Sequence, residues 1–248
     1  MKRLCPASFE YELKMLRRLA NHLVRGQGKY LGHEDLISAF TERSKRLVTN
    51  EPLAQYLLPA KTPDEKVEKL LLVEENIIGA ENKRTLAGFI SPILTHPSLD
   101  DQVCGPQAQP LARLKRLNEL QCSVLQSGIQ DPQKNQIAAL LDVSAARIEA
   151  RSKILAGIEA RFANPVERAQ ALLKLCLSGI FTEGTLGAKA RHAVLSCLRK
   201  PGFVNGYIAK ARGEGQPDLD AKTAVDDLLA QLGKIGVSAE DGARILAA

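Results

Sequence analysis

The sequence predicts an all-α fold, a multi-helix bundle, on three observations. Helix start signals recur: Thr62-Pro63-Asp64-Glu65, Asp131-Pro132 and Asn164-Pro165-Val166-Glu167 each place a capping side chain before a proline at the first helical position. In the first and third, Glu65 and Glu167 stand three residues after the cap, where a carboxylate reaches back to the cap's own amide. Aromatic residues make up only 4% of the chain and Trp is absent, so a core drawn from its 45% hydrophobic residues must be mostly Leu, Ile, Val and Ala. That composition suits helix-on-helix packing better than a β-sandwich. No segment alternates as a strand does over a useful length, and no repeat recurs at a fixed period.

Taken in order, Leu13, Leu16, Leu19, Ala20 and Leu23 give a first amphipathic helix over about 8–25, ended by Gly26-Gln27-Gly28. Leu36, Ile37, Phe40, Leu47 and Val48 mark a second from His33. Asn50-Glu51-Pro52 opens a short third that stops before Pro59. The Thr62 cap starts a longer helix through Leu70 and Ile77 that Gly79 ends or bends. Leu86, Phe89 and Ile90 carry a helical face on to Ser91-Pro92.

Residues 95–110 hold Pro97, Gly105, Pro106 and Pro110 and few apolar side chains, so they read as a linker. Beyond it, Leu111, Leu114, Leu117, Leu120 and Val124 form a helix stopped at Gly128. Ile137, Leu141, Ser144, Ile148, Arg151, Leu155, Ile158 and Phe162 then recur at alternating spacings of four and three, an impure coiled-coil seam. Unbroken, a helix over 132–163 would be about 48 Å long at about 1.5 Å per residue. It would return antiparallel to its predecessor as a long helical hairpin. Asn164 opens the next helix, which ends at Gly179. Two more span 185–200 and 203–212, split by Pro201-Gly202. A flexible stretch over 213–217 precedes a helix on Val225, Leu228, Leu229 and Leu232, and Ser238 caps a terminal one. The expected division is an N-terminal helical subdomain (1–95), a linker (96–110), a hairpin with a basic helical subdomain (111–212) and an acidic helical tail (213–248).

The 248 residues include 25% charged side chains and a net charge of +6, ordinary for a globular protein. Charges at Glu10, Glu12, Lys14, Arg17 and Arg18 fall where a secretory signal needs an apolar run. The longest nearly apolar stretch, 172–181, is half the length of a membrane span. A cytoplasmic protein with no transmembrane segment is expected. Cys5, Cys104, Cys122, Cys176 and Cys197 are odd in number and form no C-x-x-C pair, which disfavours a disulfide framework or a zinc site. Cys122, Cys176 and Cys197 read as buried thiols.

Three constellations bear on binding. The first is Ile137-Ala138-Ala139-Leu140-Leu141-Asp142-Val143-Ser144 with Ile148. It resembles the helix-turn-helix of bacterial DNA-binding proteins: Ala138 is the small residue of the first helix, Asp142 stands at the bend where that family usually has Gly, and Val143-Ser144 precede Ile148. The resemblance covers about a dozen residues. It implies a DNA-facing helix carrying Arg147, Arg151 and Lys153. One continuous helix in an antiparallel hairpin is the preferred alternative.

The second is a basic stretch, with Lys189, Arg191, Arg199, Lys200, Lys210 and Arg212 and no acid between Thr185 and Arg212. Seven acids against Lys222 and Lys234 follow over 213–241. Such a face suits nucleic acid or another anion, with the acidic tail as a competitor; an ordinary solvated face is the preferred reading. The third is the basic first helix, with Lys14, Arg17, Arg18 and Arg25 beside Lys2, Arg3 and Lys29. It suits anionic lipid or RNA if it is more than a peripheral bundle helix.

Catalytic signatures are lacking. His22, His33, His96 and His192 are scattered, His33-Glu34 has no second His four residues on, and Glu74-Glu75 has no following E-x-x-H. There is no Walker loop, G-x-G-x-x-G or G-x-S-x-G. No cofactor and no metal site is expected. The sequence points to a noncatalytic helical interaction or regulatory protein of a bacterial type, with the basic 189–212 face as its expected contact surface for an acidic or apolar patch on a protein partner. The first alternative is a nucleic-acid-binding protein, such as a transcriptional regulator, using 137–153 or the basic 189–212 face; the second is an enzyme with a helical-bundle active site, which requires His33, His96 or His192 to meet carboxylates in the fold.

Overall fold

The computed structural model describes residues 6–26, 32–49, 51–181, 184–214 and 220–247. These residues form fourteen helices and no strand. They are α1 (Pro6–Arg25), α2 (His33–Val48), α3 (Glu51–Leu57), α4 (Pro63–Asn76), α5 (Ala80–Leu94), α6 (Leu99–Gln102) and α7 (Pro110–Gln126), followed by α8 (Asp131–Ser152), α9 (Ile154–Arg161), α10 (Pro165–Leu177), α11 (Gly184–Leu198), α12 (Phe203–Gly213), α13 (Ala221–Lys234) and α14 (Ala239–Ala247). Lys2, Arg3, Cys5, Gln27, Gly28, Lys29, Asn50 and 215–219 lie outside the described residues. No described helix is long and apolar enough to cross a membrane.

The Thr62, Asn164 and Ser238 caps form where the sequence places them, whereas Asp131 is itself the first residue of α8, its carboxylate 3.8 Å from Lys134. Thr62 accepts the Glu65 amide at 3.4 Å while the Glu65 carboxylate accepts the Thr62 amide at 3.3 Å, a closed capping box. Asn164 accepts the Val166 amide at 2.9 Å. Its expected partner Glu167 turns away instead and faces Lys210 at 3.6 Å, so the second box stays open. Ser238 accepts the Asp241 amide at 3.1 Å.

The chain divides into two compact units, Met1–Ala108 with Leu120–Leu141, and Gln109–Glu119 with Asp142–Ala248. The division therefore falls inside α7 and α8 rather than at 96–110. That segment is not an open linker: it holds α6, and Leu99, Asp100 and Val103 are buried. Pro and Gly there punctuate a packed turn, with Cys104 at φ 58° donating its amide to the buried Asp64 carboxylate at 3.1 Å.

In the first unit α1 packs on α2, α3 and α4, and α5 packs on α2 and α4. Leu13, Leu70, Leu86 and Ile90 are fully buried. Phe9 stacks on Tyr56 with ring centroids 4.6 Å apart. The Tyr56 hydroxyl donates to Glu10 at 2.7 Å, and Lys69 sits over the ring at 4.3 Å. Burial and the Glu10 charge push the Tyr56 hydroxyl's pKa well up. Gly79 separates α4 from α5. Its φ of +93° strains any other residue, and a Cβ there would stand 2.9 Å from the Thr41 methyl.

In the second unit α10 is central, packed on α9, α11, α12 and α13. Ala169, Leu172 and Cys176 lose all solvent contact there. Burial raises the Cys176 thiol to about 11, and the Cys197 thiol is pushed up for the same reason, so both are inert at neutral pH. Cys122 is only half-buried. The acidic C-terminal segment is not a detached tail: α13 packs on α12 and α10, α14 packs on α13 and α11, and Ala224, Leu228 and Leu232 are buried.

Candidate binding surfaces

The residues of the helix-turn-helix resemblance lie within one helix. α8 runs without a turn through Asp142-Val143-Ser144, so the motif's bend is absent. Asp142 has a different task. Its carboxylate accepts the Thr185 amide at 2.8 Å and the Thr185 hydroxyl at 2.5 Å, capping the start of α11. Ser144 is fully buried, and its hydroxyl accepts from the Arg147 guanidinium at 3.1 Å.

The long helix does break, but further on. Lys153 adopts a left-handed backbone, φ 52° and ψ 40°, between α8 and α9. Glu149 reaches across the break and accepts the Ile154 and Leu155 amides at 3.3 and 2.9 Å. These donors are unpaired wherever a helix restarts, and the carboxylate supplies the partner its own sequence lacks. Burial nevertheless dominates and raises the Glu149 pKa, opposed by those two amides and by Lys189. Arg147, Arg151 and Lys153 thus surround a kinked helix rather than head a recognition helix.

The basic 189–212 stretch is partly neutralised within its own unit. Lys210 faces Glu167 at 3.6 Å and Glu214 at 3.7 Å. Lys189 acts on the Glu149 carboxylate and Arg212 on that of Asp220. Arg199 and Lys200, exposed at the end of α11, have no ion-pair partner among the described residues. Among the described residues no group of three or more His, Cys, Asp or Glu side chains is placed to hold a metal.

Two concave surfaces of the first unit stand out, and neither coincides with the favoured sequence candidates. One is an apolar groove of about 370 Å³ between the end of α3 and α5, lined by Leu57, Leu58, Phe89 and Ile93 above Ala54 and Ala60, with Lys66 at its edge. Leu58 is 78% exposed and Phe89 41%. Helical spacing builds the wall, because Phe89 and Ile93 are four residues apart and share one face of α5. Ile90, one residue on, fills the core. The sequence signal was the doublet Phe89-Ile90, two large apolar residues of which α5 buries only Ile90.

The other is a cleft of about 400 Å³ between α1 and α4, whose lining includes Lys14, Arg17 and Arg18. The basic first helix of the sequence analysis thus brings Lys14, Arg17 and Arg18 to a concave surface. Comparison of the chain with protein-family models, with curated proteins and with solved structures found no match.

Proposed function

We propose that this chain is a noncatalytic helical interaction protein that receives an amphipathic helix of a protein partner in the α3–α5 groove. The observation that carries this reading is the exposure of Leu58 beside Phe89 on a concave apolar surface. Isolated exposed apolar residues are ordinary, whereas a rimmed apolar concavity marks a contact surface. The groove is short, with two apolar positions along α5, which matches a guest helix presenting anchors at i and i+4. Lys66 at the edge favours an acidic residue on the guest, flanking its apolar stripe.

Selection from a displayed peptide library against the full chain tests this reading. The expected winners carry apolar residues at i and i+4 with an acidic neighbour, and they lose binding to the Leu58→Asp and Phe89→Asp variants. Because Leu58 is mostly exposed, its variant keeps the fold, which circular dichroism checks. Winners that bind both variants as well as the parent, or no enrichment at all, overturn the proposal. The nucleic-acid alternative has less support: α8 offers no separate recognition helix, and of the basic stretch Arg199 and Lys200 have no partner among the described residues.

A further inference from the structure

We infer that the α1–α4 cleft binds a small phosphate ester that also carries hydroxyl donors, of the sugar-phosphate or nucleoside-phosphate class. The site is independent of the α3–α5 groove. Its volume of about 400 Å³ falls within the range of small-ligand sites, roughly 300–1,000 Å³. Two charges on its lining largely cancel each other: Glu10 accepts from the Tyr56 hydroxyl at 2.7 Å and faces Lys14 at 3.8 Å. Arg17 and Arg18 remain, and neither has an ion-pair partner among the described residues. Consecutive helical residues point about 100° apart, so two guanidiniums that both line one cleft approach it from different sides. A phosphomonoester, with close to two negative charges and three acceptor oxygens, matches that pair.

The rest of the lining selects an ester over the bare ion. Glu75 is exposed, lines the cleft and has no partner among the described residues. It repels a lone anion and accepts from a hydroxyl. Asn76 donates its amide to the Leu72 carbonyl at 2.8 Å, which leaves its own oxygen as a second acceptor. Leu13 and Val73, both buried, give the cleft an apolar floor for the ligand's carbon skeleton.

Isothermal titration of the full chain with adenosine monophosphate, ribose 5-phosphate, adenosine and inorganic phosphate tests the inference. Both esters are expected to bind saturably, inorganic phosphate more weakly, and adenosine not at all. The Arg17→Gln/Arg18→Gln variant should weaken ester binding about tenfold or more, since a hydrogen bond to a charged group is worth at least that factor. Glu75→Gln should narrow the gap between ester and inorganic phosphate. Arg18→Gln alone, at an exposed position, supplies the same test with the least risk to the fold. Absence of saturable ester binding, ester binding unchanged in both arginine variants, or equal affinity for inorganic phosphate overturns the inference. So does binding confined to phosphatidylcholine vesicles containing phosphatidic acid, which would assign the arginines to a lipid headgroup.

Discussion

The Lys83 ammonium donates to the Glu74 carboxylate at 2.6 Å, and the second Glu74 oxygen accepts the Gly128 amide at 3.3 Å. Glu74 is 2% exposed. One buried carboxylate thereby ties α4, α5 and the turn after α7 within the first unit. Glu74-Glu75 looked in the sequence like a carboxylate pair on one helix. The fold separates them, burying one as a structural ion pair and leaving the other exposed at the α1–α4 cleft.

Breaking this tie is expected to be costly. Lys83→Met removes the cation and strands Glu74 in the interior, which should lower stability by about 3 kcal/mol, as stranded buried charges do. Gly128→Ala should do part of the same damage, because its Cβ would stand 2.6 Å from the Lys83 nitrogen and 2.9 Å from a Glu74 oxygen. The double variant Glu74→Leu/Lys83→Met should recover much of the loss by removing both charges together. Urea unfolding of Lys83→Met, Glu74→Leu and the double variant decides it; a double-variant loss equal to the sum of the two single losses would mean the pair is not coupled.

Glu149 makes a pH dependence. Burial raises its folded pKa above the ordinary 4.5, so the folded chain holds this proton more tightly than the unfolded chain does. Folding takes up a proton in the window just above pH 4.5, and this residue's contribution to stability therefore falls as pH rises through that window. Glu149→Gln should flatten that part of the profile while keeping an acceptor for one of the two amides. Urea midpoints measured at intervals above pH 4.5, in parent and variant, read the difference. A variant profile as steep as the parent's would assign the titration elsewhere.

Much of the fold was legible in the sequence because caps are local. Thr62, Asn164 and Ser238 each need only neighbours two or three residues away, and each starts a helix where expected. The break at Lys153 was not legible. A left-handed lysine carries no signature of its own, and its compensation comes from Glu149 on the preceding helix. The role of Asp142 was hidden for a similar reason: its partner Thr185 is 43 residues away. The basic 189–212 run was visible as composition, but sequence spacing could not show that Glu167 and Glu214 meet Lys210. The groove was hidden because Leu58 and Phe89 look like core residues, and only the packing shows that Ile90 takes the core while Leu58 stands exposed past the end of α3.

Asp142 is expected to act as a cap from outside its helix. Asp142→Ala removes both acceptor contacts to Thr185 and should destabilise by about 1 kcal/mol, the usual scale for a lost N-terminal cap. Asp142→Asn should recover part of it, since an amide oxygen still accepts the Thr185 N–H. Hydrogen exchange gives the more specific readout. Protection should fall in the first turn of α11 more than in α8 around residue 142. The opposite pattern would make Asp142 a residue of its own helix and return the first turn of α11 to solvent.

Salt and charge reversal separate the remaining surface readings. Any affinity of the chain for duplex DNA is expected to fall steeply with salt, because bound phosphates release counterions. Arg199→Glu/Lys200→Glu should damage that affinity more than Arg147→Glu/Arg151→Glu. The first pair is exposed at the end of α11 without ion-pair partners among the described residues, whereas Arg147 bonds to the buried Ser144 on an uninterrupted α8. Fluorescence anisotropy of labelled random duplex across a salt series measures both pairs. The reverse order, with the α8 pair dominant, would restore α8 as a nucleic-acid contact surface despite its lack of a turn. Absence of binding at low salt would remove the nucleic-acid alternative and leave the α3–α5 groove as the contact surface to pursue.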